Sequence, residues 1–204
     1  MKTIVRFTSA ACVMLAVTAS AWAQPAIRPG EWSHGTTLNG IVGVPIESDQ
    51  AGAAVGGAVG WEMTPRFAIE GTGSWLDFRH GASAFTGAIS LRTRLFGRRK
   101  VDPFLQAGIG MYRASYGPAS TLPSFYERRT SNRQLAGDLT FTDPTVVVGG
   151  GTNIFLNRRF AVRPDVTTTI VLGGGRRRVV TTVAVHAVFH FEDHPVTPAR
   201  RPWR

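Results

Sequence analysis

The sequence predicts an all-β fold, an eight-stranded antiparallel up-and-down transmembrane β-barrel. Three observations predict it. The chain begins with a secretory leader, apolar and polar residues alternate with period two in eight later segments, and aromatic residues gather at one set of segment ends. The segments have the length of about 9 to 11 residues, or slightly more, that a tilted strand needs to cross a bilayer.

Residues 1–23 have the order of a secretory signal peptide. Lys2 and Arg6 precede an apolar run over 10–17, and Ala21-Trp22-Ala23 places small residues before the expected cleavage site. The apolar run is shorter than the roughly 20 residues of a membrane-anchoring helix. We therefore expect cleavage after Ala23 and export of the chain.

Composition limits the chemistry of the exported chain. Its 204 residues are 43% hydrophobic and 18% charged, which is typical of one folded domain. Removal of Lys2 and Arg6 lowers the formal charge from +10 to +8. The single cysteine, Cys12, lies in the leader, so thiol chemistry, disulfides and cysteine-based metal sites are excluded. No cofactor is expected, and no nucleic-acid partner, because the basic residues are scattered over turns.

The remaining chain divides into three parts. Residues 24–35 form a short N-terminal periplasmic segment, residues 36–191 form the barrel, and residues 192–204 form a disordered periplasmic tail rich in proline and arginine. Alternation predicts the strands, in chain order, at 36–46, 51–63, 66–77, 83–96, 103–114, 144–156, 160–172 and 178–191.

The strands share an apolar outward face and a polar or charged inward face. The second to fourth strands show it through Val59 and Trp61 against Glu62, Ile69 and Trp75 against Glu70, and Leu91 against Arg92 and Arg94. The seventh and eighth strands show it through Val162 and Val166 against Arg163 and Asp165, and Val183 and Val185 against Ala184 and His186. Glycine and β-branched residues crowd these segments, which disfavours helices.

Six inward charges are predicted to lie near one end of the barrel. They are Glu62, Glu70, Arg92, Arg94, Arg163 and Asp165. An eight-stranded barrel is just wide enough to be filled by side chains, and buried ions must be paired. We therefore expect a paired lumen charge network that plugs the barrel; a gated ion or proton path is the alternative interpretation.

Aromatic residues at the same end predict an interfacial belt. They are Trp61, Phe67, Phe96, Phe104, Phe155, Phe160, Phe189 and Phe191, although Phe104 and Phe155 fall on the inward parity of their strands. Short turns and both chain ends lie at this end. In a Gram-negative outer membrane it would be periplasmic, which places both termini inside.

The longest predicted connection, 115–143, would then face the outside. Exposed aromatic residues beside arginine suit recognition. With the glycine-rich turn at 173–177, it supplies the candidate surface-loop contacts to lipopolysaccharide or other partners, which are Tyr116, Phe125, Tyr126, Arg128, Arg129, Arg176 and Arg177.

Several of these segments resemble a known superfamily. The run 146–151 (VVVGGG), a short turn to 160–165 (FAVRPD) and the ending Phe189-His190-Phe191 resemble the small outer-membrane barrels of opacity-type and outer-membrane-protein-A-like proteins. The resemblance implies that Phe189 and Phe191 form the assembly signal read by the barrel insertion machinery. The tail after Phe191 departs from relatives that stop at this phenylalanine.

Catalysis and metal binding are not expected. His186 and His190 are about 13 Å apart on a strand, too far to share an ion, and Ser90, Glu70 and His186 have inward parity without a recognisable hydrolase motif. We expect a monomeric outer-membrane protein with a structural or surface-interaction role, in contact with outer-membrane lipid. The alternatives are a narrow pore for small solutes and a soluble periplasmic lipocalin-like barrel.

Overall fold

The computed structural model describes residues 35–47, 50–78, 82–96, 100–116, 139–156, 159–173 and 178–191. They form eight strands: β1 (Thr36–Glu47), β2 (Gln50–Glu62), β3 (Phe67–Phe78), β4 (Ala82–Arg94), β5 (Val101–Tyr116), β6 (Leu139–Phe155), β7 (Phe160–Val171) and β8 (Arg178–His190). No helix in this part of the chain is long and apolar enough to cross a membrane.

The strands close into one barrel in chain order. Every strand pairs antiparallel with its chain neighbours, and β1 pairs with β8 to close the sheet, with Thr37 opposite His190 and Ile46 opposite Thr181. This confirms the predicted all-β, up-and-down, eight-stranded fold. Closure leaves every strand with two neighbours over most of its length, so the backbone is hydrogen-bonded without free sheet edges there.

The barrel has two different ends. The terminal end contains the start of β1, the end of β8 and the connections after β2, β4 and β6; the loop end contains the other four connections. The predicted connection 115–143 is too long, because β5 continues to Tyr116 and β6 begins at Leu139, which pair with each other. Period-two alternation simply continues beyond the predicted bounds.

An apolar band surrounds the outside of the barrel. Large apolar side chains on the outward parity are exposed, among them Leu38, Val42, Val55, Val59, Ile69, Ile89, Leu91, Leu105, Ile109, Val148, Val183 and Val185. On β8 this face runs from Val179 to Phe189. Ten residues at about 3.3 Å per residue and a tilt of about 40° give a band roughly 25 Å tall.

Inward-facing glycines allow the strands to approach each other closely. A Cβ on Gly110 of β5 would lie 2.1 Å from the Gly87 carbonyl oxygen of β4, and a Cβ on Gly151 would lie 2.5 Å from Cβ of Asp165. No side chain fits into either space. Glycine is therefore required where these strands coil around the narrow lumen.

Several predictions fall on residues outside those described. They concern the leader 1–23, most of the segment 24–35, the tail 192–204, and the loop-contact candidates Phe125, Tyr126, Arg128, Arg129, Arg176 and Arg177.

Candidate functional site

The lumen is the candidate site, because its side chains are polar and buried while the exterior is apolar. Alternation on all eight strands turns these polar side chains inward. They form three layers, which are a charge network near the terminal end, a polar chamber at mid-height and an aromatic lid near the loop end.

Glu70 on β3 is the centre of the charge network. The two Nη atoms of Arg163 on β7 donate to its two carboxylate oxygens at 2.8 and 2.9 Å. Arg92 on β4 and Asn39 on β1 donate to Oε2 at 3.0 and 2.9 Å. One buried carboxylate thus joins four strands around the lumen, and its bidentate arginine contact belongs to the strongest class of hydrogen bond.

His186 on β8 extends this network. Its Nδ1 lies 2.6 Å from Nη2 of Arg163, and its Nε2 lies 3.0 Å from Oδ2 of Asp165. Since a guanidinium group can only donate, Nδ1 of His186 accepts and Nε2 carries the proton that is donated to Asp165. The His186 ring therefore links Arg163 to Asp165 inside the lumen.

A second group lies nearer the terminal end. Arg94 on β4 bonds to Glu62 on β2 and forms an ion pair of 2.9 Å with Asp102 on β5 through Nε. His190 on β8 approaches Glu62, with 3.5 Å between Nδ1 and Oε1. The charged groups of Arg94, Glu62 and Asp102 are buried and paired, so they tie together strands on this side of the barrel and block the lumen.

Phe104 and Phe155 belong to this layer and not to the exterior belt. The Phe104 ring lies 5.4 Å from the guanidinium carbon of Arg92 and 5.5 Å from that of Arg163. The Phe155 ring lies 5.2 Å from the His190 ring. Phe104 is therefore packed against two arginines and Phe155 against the His190 ring, both inside the lumen. Of the predicted belt, the outward-facing members are Trp61, Phe67, Phe96, Phe160, Phe189 and Phe191.

Above the charge network lies a polar chamber of about 70 Å³, with room for a few water molecules. Its floor includes Glu70, Asp165 and His186, and its wall is rich in hydroxyl groups, from Thr72, Ser74, Thr86, Thr145, Thr167, Thr169 and Thr182. Within the part of the chain that is described, Thr145 Oγ1 and Gln106 Oε1 have no protein hydrogen-bond partner. The chamber is thus lined by hydroxyl and charged groups together with apolar side chains such as Ile41, Leu76 and Val147.

An aromatic lid closes the chamber at the loop end. It is formed by Ala54, Leu76, Phe78, Ala84, Tyr112, Ala114, Tyr116, Val171 and Val180. Arg178 on β8 fastens it by bonding to Glu47 on β1, by donating to the Tyr116 hydroxyl at 2.7 Å, and by lying 5.2 Å above the Tyr112 ring. Tyr116 is therefore a buried lumen residue, and the prediction of a surface-loop contact at Tyr116 is wrong.

The structure brings all six predicted lumen charges inside the barrel, in two neighbouring groups. Sequence reasoning did not include Asn39, Asp102, His186 and His190 in the network. Asp102 lies one residue before the predicted start of β5, although its parity equals that of Phe104. Extending the predicted strand by one residue would have found it.

The same geometry bears on catalysis and metal binding. The Ser90 hydroxyl donates to the main-chain carbonyl of Glu70, and both His186 nitrogens bond to Arg163 and Asp165. Neither contact is that of an activated nucleophile and its base. Among the described residues no group of three metal-ligating side chains is found.

Comparison with solved structures finds the same architecture. The chain matches Neisserial surface protein A with a TM-score of 0.58 and 10% identity, covering 78% of this chain and 97% of that one. It matches the N-terminal barrel domain of Pseudomonas aeruginosa OprF with a TM-score of 0.52 and 9% identity, covering 76% and 97%. It matches OprG of the same organism with a TM-score of 0.51 and 10% identity, covering 81% of this chain and 99% of that one.

No protein-family model matches the sequence, and no curated protein matches it either. At about 10% identity the likeness is one of fold.

Proposed function

Because the chain has the fold of small eight-stranded outer-membrane barrels, we propose that it is an integral outer-membrane protein of a Gram-negative bacterium. Its proposed role is structural or surface-interacting, without catalysis. The observation that carries the proposal is the inversion of polarity, with large apolar side chains exposed outside and charged side chains buried in the lumen.

The exterior supports residence in a bilayer. Soluble proteins rarely expose a contiguous apolar patch larger than a few hundred Å², whereas here the apolar band encircles the barrel. Its height of roughly 25 Å equals that of the lipid-facing band of outer-membrane barrels. The outward aromatic residues near the terminal end suit the membrane interface.

The lumen argues against both alternatives. A solute path would have to cross the ion-paired layer around Glu70 and the lid fastened by Arg178, and side chains fill both layers. A lipocalin-like barrel requires an apolar lumen and a polar exterior, whereas here the exterior is apolar and the lumen contains buried ion pairs. A closed scaffold that presents loops at one surface is the better fit.

The proposed orientation has both termini in the periplasm and the loop end outside. Outer-membrane lipid and lipopolysaccharide would then contact the band and the loops, and the barrel insertion machinery would read Phe189 and Phe191 during assembly. These two side chains face outward and their rings lie 4.9 Å apart. We propose that the protein acts as a monomer.

Envelope fractionation tests the membrane proposal. The expected result is recovery in the outer-membrane fraction together with a change in electrophoretic mobility on boiling, because a closed barrel resists detergent until heated. Recovery as a soluble periplasmic protein would overturn the proposal. Planar-bilayer recordings test the sealed lumen, and the expected result is no conductance at any voltage.

Cysteine labelling tests the orientation. If the leader is removed with Cys12, the exported chain has no cysteine, so single substitutions report cleanly. In intact cells a membrane-impermeant maleimide should label Ser120→Cys, between β5 and β6, and should label Thr197→Cys in the tail only after the outer membrane is opened. The opposite pattern would reverse the orientation.

A further inference from the structure

Three basic residues occupy equivalent positions at the terminal end. Arg66, Lys100 and Arg159 each stand one residue before a strand that runs toward the loop end, which is β3, β5 or β7 in turn. The main-chain carbonyl of each accepts a hydrogen bond of 2.8 Å from the strand that follows, which is β4, β6 or β8. All three side chains are exposed. We call these three residues the rim cations.

The rim cations lie directly beside the aromatic belt. Arg66 is followed by Phe67 and Arg159 by Phe160, and both aromatic side chains are exposed on the outer face. One residue at about 3.3 Å and a strand tilt of about 40° adds roughly 2.5 Å along the barrel axis. The headgroup layer on each side of the hydrocarbon is roughly 5–7 Å thick. With the apolar band in the hydrocarbon, the rim cations therefore lie at headgroup depth.

The sequence at this end is strongly basic. The three connections that carry the rim cations contain six basic residues and no acidic residue; they are 63–66, 95–100 and 156–159. The flanking segments 24–35 and 192–204 add four arginines and three acidic residues, so they leave the sign of the charge unchanged. An anionic partner is therefore favoured at this end.

The folded structure leaves this positive charge available. The acidic side chains Glu62 and Asp102 lie close to this end, but both are buried and bonded to Arg94. Arg66 and Lys100 have no ion-pair partner within the part of the chain that the structure describes. Exposed cations beside an apolar surface attract the anionic headgroups of a membrane.

The short turn before β3 favours lipid over the cell wall as the partner. The Thr64 hydroxyl accepts hydrogen bonds from the N–H groups of Arg66 and Phe67, at 3.3 and 2.9 Å. This turn is therefore fixed close to the strand ends and does not extend beyond the headgroup layer. A partner that lies against the barrel at the membrane interface suits this position better than a partner distant from the membrane.

We propose that the rim cations bind the phosphate groups of anionic phospholipids in the leaflet at the terminal end. The ligand class is a phosphodiester lipid with net negative charge, such as phosphatidylglycerol. The guanidinium groups of Arg66 and Arg159 can donate two parallel hydrogen bonds to one phosphate, and Lys100 acts as a point charge. The proposal rests on the proposed residence in the outer membrane, and in the proposed orientation this is the periplasmic leaflet.

Two tryptophans can report on the lipid at the two ends of the band. Trp61 faces outward on β2, just before the connection that carries Arg66, and it lies opposite Ile69 of β3. Trp75 faces outward on β3, six residues or about 20 Å further toward the loop end. Two versions of the exported chain each keep one of these reporters. Both carry Trp32→Phe and Trp203→Phe, together with either Trp75→Phe or Trp61→Phe.

The measurement is fluorescence quenching in phosphatidylcholine vesicles that contain acyl-chain-brominated phosphatidylglycerol or brominated phosphatidylcholine. The quenching curves give the association constant of phosphatidylglycerol relative to phosphatidylcholine at each tryptophan. This ratio should be about five at Trp61. It should be close to one at Trp75, where the exposed Asp77 lies two residues further on the same face.

Substitutions of arginine identify the contact. Arg66→Gln should lower the ratio at Trp61 to below about two, and Arg66→Lys should retain most of it, because the charge remains. Arg113→Gln is the matched control, since it removes an exposed arginine from the outer face of β5 near the loop end. It should leave the ratio at Trp61 unchanged. All variants should retain the heat-dependent mobility shift, which shows that they are folded.

Several results would overturn the proposal. They are a ratio near one at Trp61, equal ratios at Trp61 and Trp75, or an unchanged ratio in Arg66→Gln. Displacement of brominated phosphatidylglycerol by soluble cell-wall fragments would overturn it as well, in favour of the wall. The membrane proposal is tested separately, because brominated phosphatidylcholine should quench both tryptophans if the band lies in lipid, whatever the headgroup preference.

Discussion

At the scale of single residues, the lumen depends on one carboxylate. Glu70 accepts hydrogen bonds from Arg92, Arg163 and Asn39, all on different strands. Two buried guanidinium groups are compensated mainly by this one acid. Removing one partner from such a buried ion-pair network destabilises the protein by more than the intact pairs stabilise it, because the remaining charges stay buried without a countercharge.

Glu70→Gln should therefore destabilise the barrel by about 3–5 kcal/mol. Glutamine keeps the size of the side chain but leaves Arg92 and Arg163 without their common countercharge. Urea titration of refolding in lipid vesicles measures the free energy of unfolding. Asp77→Asn, on the exposed outer face of β3, is the control and should change it by less than about 0.5 kcal/mol. Equal effects of both substitutions would contradict a central role for Glu70.

Phe104 gives a second prediction at this scale. Its ring contacts both guanidinium groups that bind Glu70. Phe104→Leu should cost about 1–3 kcal/mol, through lost packing and lost cation–π attraction. Phe160→Leu, on the outer face at the same end, keeps an apolar side chain at an exposed position and should cost less in the same vesicle assay. The reverse order would mean that Phe104 acts only as an apolar filler.

Alternation along a strand predicts which side chains face the lumen, but it does not predict which of them pair with each other. The inward parity of Glu70, Arg92 and Arg163 is readable from alternation, and so is the misfit of Phe104 in the belt. The pairing of these side chains across β3, β4 and β7 is not readable, because shear and strand order bring residues 93 positions apart into contact. Only closure of the barrel determines which acid meets which base.

At the scale of elements, the strand positions were predictable and the ends of the longest strands were not. Strong alternation placed all eight strands within a few residues. β5 and β6 were predicted too short because Ser115, Tyr116 and the residues before Pro144 carry the polarity and aromatic content that are typical of loops. Mutual pairing from Tyr112 to Tyr116 and from Leu139 to Asp143 keeps them in strands.

Glycine position within a strand is testable with a matched pair. Gly110→Ala should prevent or strongly weaken folding, because its Cβ would lie 2.1 Å from the Gly87 carbonyl oxygen, and such overpacking costs about 1–3 kcal/mol or more. Gly40→Ala faces outward into open space, with no atom within 4 Å of its Cβ. It should fold like the wild type. The fraction of each variant that shows the heat-dependent mobility shift measures how much of it is folded. Similar folded fractions for the two variants would contradict the close approach of β4 and β5.

At the scale of the whole molecule, the fold separates two environments by parity alone. The same alternation that places Glu70 and Arg163 in a sealed lumen places Val42, Ile109 and Val183 on the outside. Alternation predicted this separation, together with the barrel class, from sequence. It could not predict that the lumen would be closed twice, because the lid depends on Tyr112 and Tyr116 turning inward and on Arg178 reaching across from β8.

The environment of the exterior gives the last prediction. Ile109 is 71% exposed on the outer face of β5, amid the apolar band. If the band lies in lipid, Ile109→Arg should destabilise the barrel in vesicles, lowering its free energy of unfolding by about 2–4 kcal/mol, which is the cost of a charge near the bilayer midplane. Arg113 lies four residues further along β5 toward the loop end, on the same outer face. Arg113→Ile tests the edge of the apolar band and should leave the free energy of unfolding unchanged. On a water-soluble barrel an exposed arginine changes stability by less than about 0.5 kcal/mol. An unchanged stability of Ile109→Arg would therefore contradict the proposal that this surface contacts lipid.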